Sequence, residues 1–166
     1  MPEQAKRYLN ESSLKDMRES SKIAFDWIAG FTPEKKVKVF SSDSVKLTEE
    51  FITFCLSKDT KLARAIKAAK EGKATADEKE SIDNMILCLG AYLGETVIKN
   101  FGGKWTFDDS RKTFSVTEIP RNAGGLITVF PMSKITKRFF LGKEDSIAWW
   151  YQGTEISIKE KVYYKI

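Results

Sequence analysis

The stretch IDNMILCLGAYLGETVIKNFGGKW, residues 82–105, decides the fold. Apolar residues recur at Ile82, Ile86, Leu89, Leu93 and Val97, in steps of three and four, the period of one helix face. Met85, Cys88 and Tyr92 widen that face. A helix apolar over so much of its circumference belongs inside a domain. Upstream, Thr75 and Glu78 have capping-box spacing, so each side chain can satisfy a free backbone N–H of the first turn. Downstream, Gly102 is placed to close the helix in a left-handed conformation, and Gly103 to loosen the exit. Trp105 then opens a sheet.

Gly90 and Gly94 stand four apart on one face of this helix. A glycine in a helix interior costs about 1 kcal/mol against alanine, so the pair calls for compensation. Close approach of another backbone or of a large ring such as a tryptophan is one source; a floor for a ligand or partner is the other. Glu95 follows, four residues before Lys99, the favourable orientation for a helical ion pair. The alternative is a partly buried carboxylate facing Tyr92 or a basic partner. One carboxylate with no second acid beside it is a weak catalytic signal.

Working outward, 166 residues suit a single domain over 1–166, with residues 1–12 expected to be flexible. No apolar run is long enough to span a membrane, so no membrane partner is expected. The start, MPEQAKRYLNESS, lacks the apolar segment of a signal peptide, so the expected compartment is the cytoplasm. Cys55 and Cys88 lie in apolar surroundings without C-x-x-C spacing and read as buried free thiols. The chain has no histidine, which removes the usual general base and the commonest metal ligand. No catalytic residue, metal or cofactor is assigned. The net charge of +5 arises in two regions: residues 31–80 carry eleven positive and nine negative groups, and residues 132–166 seven and four.

Ser13 with Asp16 is placed to cap a first helix ending near Gly30. Residues 35–40 read as a short strand or a connection. A second helix is predicted over 44–57 and a third over 60–71. On the third, Lys61, Arg64, Lys67 and Lys70 spread opposite Leu62, Ala65, Ile66 and Ala69. Such a basic row is either a solvated face or a contact for phosphate or an acidic protein. After the long helix the period changes to two. Trp105 and Phe107 mark one strand, residues 108–110 a turn and 113–119 an antiparallel strand. Residues 126–130, nearly all apolar, are predicted as a central strand covered on both faces. Pro131 breaks it and starts a short helix, with Lys134, Lys137 and Arg138 opposite Met132, Ile135 and Phe139. Asp145 or Ser146 can cap a further helix through Trp149, Trp150 and Tyr151; residues 154–166 fit either a strand or a helix. The fold class is therefore α+β. Helices at the N-terminus and a long central helix pack on a small antiparallel sheet, with one or more helices near the C-terminus.

Two blocks, LGAYLGETVIKNFGGKW (89–105) and GLITVFPMSKITKRFFLGKED (125–145), together carry the pattern LGxxLGE, GGxW, FP and IxKR. This resembles a family of small, functionally uncharacterised bacterial domains, over roughly residues 80–152. The resemblance implies a helical start and a small sheet with flanking helices, and it carries over no activity. It marks Gly90, Gly94, Glu95, Gly103, Trp105, Phe130, Pro131, Lys137 and Arg138. A Glu95–Arg138 bridge between the central helix and the short helix would account for two of its charged positions.

Three functions follow. The first is a non-enzymatic protein-interaction module that occludes a partner, as immunity proteins do, with Gly90, Tyr92, Gly94, Glu95, Lys137 and Arg138 as candidate binding residues. At +5, its target would be neutral or acidic. The second is nucleic-acid or nucleotide contact through Lys61–Lys70 and Lys134–Arg138, provided both patches share a surface. The third is an enzyme using Glu95 with Tyr92 or a lysine, which requires a cleft at the two glycines.

Overall fold

The computed structural model describes residues 7–8 and 10–160. Among the described residues six α-helices and one sheet follow in the order β1 (Arg7–Tyr8), α1 (Glu11–Phe31), α2 (Ser42–Cys55), α3 (Lys61–Lys70), α4 (Ala76–Phe101), β2 (Lys104–Asp108), β3 (Thr113–Pro120), β4 (Leu126–Val129), α5 (Pro131–Leu141) and α6 (Ile147–Lys159). The sheet is antiparallel in the order β1-β2-β3-β4. The α+β class with a long central helix holds.

α4 is the axis. α1 runs along it, and α3, α5 and β3 pack on it as well. Ala91, Tyr92, Leu93 and Val97 are essentially sealed from solvent, as a helix apolar around its circumference must be. The capping box forms as spaced: Glu78 N–H donates to Thr75 Oγ1 at 3.2 Å, and Thr75 N–H to Glu78 Oε2 at 2.9 Å. At the other end Gly102 has φ 84° and ψ −163°. This is the region that essentially only glycine occupies, and it is not the left-handed helical closure expected. Gly103 is not a loose exit either: a Cβ there would lie 2.8 Å from the Thr117 carbonyl oxygen and from Ile119 Cγ1.

Several boundaries differ from the sequence reading. Asn10, not Ser13, caps α1, accepting from Ser13 N–H at 2.9 Å, and the helix continues one residue past Gly30. Residues 35–40 form a connection. Within it Phe40 stacks on Tyr92 (ring centroids 5.3 Å apart), with Phe25 on the same ring at 5.8 Å. α2 starts at Ser42, behind a capping box formed by Ser41 and Ser44. Arg7–Tyr8 pair with Thr106 and Phe107 of β2, so part of the segment expected to fray extends the sheet. Residues 1–6 and 9 lie outside the described residues, as do 161–166 of the ambiguous C-terminal stretch. Residues 154–159 of that stretch are helical.

The largest correction concerns β4, which forms the sheet's edge and not its centre. Its burial alternates and Leu126 is 62 % exposed. An apolar run cannot distinguish a strand covered on both faces from one whose outer residues stay in water. Phe130 is no longer strand: it precedes α5, and Pro131 occupies the first turn, where the missing N–H is harmless.

Candidate functional site

The two glycines of α4 are covered by different elements, Gly90 by α5 and Gly94 by β2. A Cβ on Gly90 would sit 2.8 Å from Met132 Cγ, and one on Gly94 would collide with the six-membered ring of Trp105. No open floor lies over either, and the tryptophan approach accounts for Gly94. The indole Nε1–H of Trp105 donates to Glu95 Oε1 at 2.8 Å. Glu95 therefore pairs with neither Lys99 nor Arg138. The expected bridge to Arg138 is absent because each partner is engaged elsewhere.

Tyr92 is fully buried. Its hydroxyl accepts from Phe40 N–H at 3.0 Å and donates to Ser44 Oγ at 2.8 Å. Burial pushes its ionisation upward, against these hydrogen bonds. Tyr92 and Glu95 thus serve different neighbours, and the Tyr92 ring and hydroxyl are closed off from solvent.

Arg138 is the second surprise. Sequence periodicity puts it on the solvent side of α5, yet it is 2 % exposed. Its Nε–H donates to Glu49 Oε1 at 2.6 Å and its Nη2–H to Thr53 Oγ1 at 2.9 Å. The second oxygen of Glu49 accepts from Ile147 N–H at 2.5 Å and from Ser146 Oγ at 3.3 Å. One carboxylate therefore ties α2 to α5 and satisfies free N–H groups at the start of α6, where the helix dipole also favours negative charge. Glu49 belongs to no motif in the sequence. Its signal was position: four residues after Val45 and three before Ile52, both buried, it falls on the inward face of α2.

Lys137, by contrast, is exposed. It lines a groove of about 450 Å³ with Arg111, Lys134, Phe130 and Trp150. Much of the charge there is already answered: Lys134 Nζ lies 3.0 Å from Asp145, and Arg111 pairs with Asp108 while lying over the Phe130 ring at 4.9 Å.

Lys61, Arg64, Lys67 and Lys70 are all exposed on α3, and none pairs with a carboxylate among the described residues. The two basic stretches do meet, though not as whole patches. Lys67, Lys70 and Arg138 line one groove of about 470 Å³ together with Lys143, whereas Lys61, Arg64 and Lys137 lie outside it. Lys143, in the 3-10 turn Lys143–Asp145 after α5, was not anticipated.

The outer face of α6 carries a different feature. Trp149 is 80 % and Ile156 56 % exposed, and between them Gly153 has open space around its α-carbon. The doublet Trp149-Trp150 marked a helix in the sequence but not which ring faced water. Among the described residues no group of acids and thiols is arranged to hold a metal ion, and no helix is long and apolar enough to cross a membrane. Comparison with protein-family models, with curated proteins and with solved structures gives no match, so the functional reading rests on this chain's own residues.

Proposed function

We propose that the protein is a non-enzymatic protein-interaction module whose docking surface is the outer face of α6. The observation that carries this reading is Trp149, a large apolar side chain 80 % exposed on α6. Gly153 and Ile156 follow at four and seven residues, so the three form one stripe along the helix. Tryptophans in such positions are enriched among residues that dominate binding energy, and an exposed apolar stripe marks a contact surface. Along the stripe Lys159 and Glu155 neutralise each other at 2.5 Å, so the fitting partner presents an uncharged apolar pocket that takes the indole. The module would work in the cytoplasm by occlusion, as immunity proteins do. Its place among the small bacterial domains that its two sequence blocks resemble is part of the same proposal.

The test is affinity capture from source-cell lysate by the tagged protein and its Trp149→Ser variant, with nuclease-treated and untreated halves. A stoichiometric protein that survives nuclease and is lost with Trp149→Ser supports the reading. Capture that is indifferent to Trp149 removes α6 as the surface.

The row on α3 favours a second reading, contact with nucleic acid. Lys61, Arg64, Lys67 and Lys70 stand exposed along one helix with no carboxylate partner among the described residues. Recovery that disappears with nuclease, falls with Lys61→Glu/Arg64→Glu and declines steeply with salt would favour it.

A further inference from the structure

The groove shared by α2, α3 and α5 has an apolar floor and a cationic rim. Leu56, Ile66 and Phe139 form the floor, with Ile66 and Phe139 almost completely buried. Lys67 and Lys70 of α3, Arg138 of α5 and Lys143 of the turn after it also line the groove, and no carboxylate does. Glu49 holds the Arg138 guanidinium in place, yet Glu49 is not among the lining residues. Lys67, Lys70 and Lys143 have no acidic partner among the described residues. Three ammonium groups around one concavity repel one another, and an anion that enters relieves that repulsion. A monocarboxylate leaves most of the charge unanswered. A phosphate monoester brings close to two negative charges and three acceptor oxygens, which matches ammonium groups acting as point charges. A volume of about 470 Å³ lies within the range of about 300–1,000 Å³ typical of small-molecule sites.

We propose that this groove binds a phosphate monoester with an aromatic or aliphatic body, its phosphate on Lys67, Lys70 and Lys143 and its body on the Leu56–Ile66–Phe139 floor. The site is separate from the α6 stripe and stands without it. The probe is 1-naphthyl phosphate, compared with 1-naphthol and inorganic phosphate by amide chemical-shift titration. The expected result is saturable shifts at residues 63–70 and 138–143, with both controls about tenfold weaker or worse. Lys67→Gln/Lys70→Gln should weaken the ester about tenfold, while Lys61→Gln/Arg64→Gln, an equal loss of charge from the same helix outside the groove, should change it less than about twofold. Lys143→Gln repeats the test from the turn after α5 should the double variant unfold. Equal weakening by both α3 variants would mean a diffuse surface field and overturn the site. Inorganic phosphate binding as tightly as the ester would overturn the role of the floor. An absence of saturable shifts at the groove up to about 1 mM ester would overturn the whole proposal.

Discussion

Trp105 lies across Gly94 and donates its indole N–H to Glu95 at 2.8 Å. Adjacent residues of α4 thus receive the six-membered ring and the N–H of one indole, which fixes β2 to the central helix. Gly94→Ala should therefore overpack a rigid contact and cost about 1–3 kcal/mol. Gly90→Ala should cost less, because its nearest contact is Met132 Cγ at 2.8 Å, farther than the Trp105 ring at Gly94, although Met132 Cα at 3.0 Å limits how far that neighbour can give. Gly153→Ala meets open space on α6 and should stabilise by about 0.5–1 kcal/mol. Urea midpoints of the three variants give the order. A Gly94→Ala midpoint equal to the wild type would mean that the ring moves aside freely.

The Glu49–Arg138 pair should dominate the stability of the far side of the molecule. Arg138 is 2 % exposed and Glu49 20 %, so removing one partner leaves a buried charge unanswered. Glu49→Ala should cost about 3–5 kcal/mol. Adding Arg138→Met should recover part of this, because a buried pair replaced by neutral groups leaves no orphan charge. Recovery should stay incomplete, since Ile147 N–H also loses its acceptor. A double-mutant cycle in urea measures the coupling. Strict additivity would mean that the pair contributes nothing as a pair.

Periodicity made the long helix, its capping box, the hairpin and the helix after Pro131 legible. Those features are set by neighbours in sequence, and α4 and the β2–β3 pair follow them. What stayed illegible depends on which distant element arrives. LITV at 126–129 reads the same at a sheet's edge as at its centre, and only the strand order places β4 at the edge. Arg138 fell on the nominal polar side of its helix, and only α2, crossing with Glu49 and Thr53, made that side interior. Glu95 had a good local partner in Lys99 and was taken by Trp105 instead. Among the candidate site residues, Gly90, Gly94 and Tyr92 are covered by packing and Glu95 and Arg138 are hydrogen-bonded to neighbours, whereas Lys61, Arg64, Lys67, Lys70 and Lys137 are exposed. The stripe at Trp149 could not be read without knowing which face α6 buries.

Both cysteines are free, and burial makes both poor nucleophiles. It pushes the Cys55 thiol up to about 11 and also raises Cys88, against a hydrogen bond with Ser20. At about pH 8 an ordinary thiol is substantially ionised, and Cys55 is hardly so. In the Cys88→Ser variant native Cys55 should therefore react with Ellman's reagent about a hundredfold more slowly than glutathione does, Cys88 should also react more slowly than an ordinary thiol, and both should react promptly in denaturant. Fast native reaction of one thiol, assigned by Cys55→Ser and Cys88→Ser, would show that its cover opens readily.

Alkaline stability should be limited by two tyrosines. Burial pushes the Tyr151 hydroxyl up to about 12, helped by the charge of Glu155, and raises Tyr92 as well. Each is held neutral in the fold above the pH at which a free tyrosine ionises, about 10. Between about 10 and 12 the unfolded chain has released protons that the native chain retains. Stability is then full below about pH 10 and falls as pH rises through that window. Tyr151→Phe should flatten the decline, since phenylalanine has no proton to release in either state. Absorbance at the phenolate band gives an independent check: the difference between wild type and Tyr151→Phe should emerge only near the upper end of the window. A difference already complete near pH 10 would place the Tyr151 hydroxyl in water and contradict its packing against Phe101.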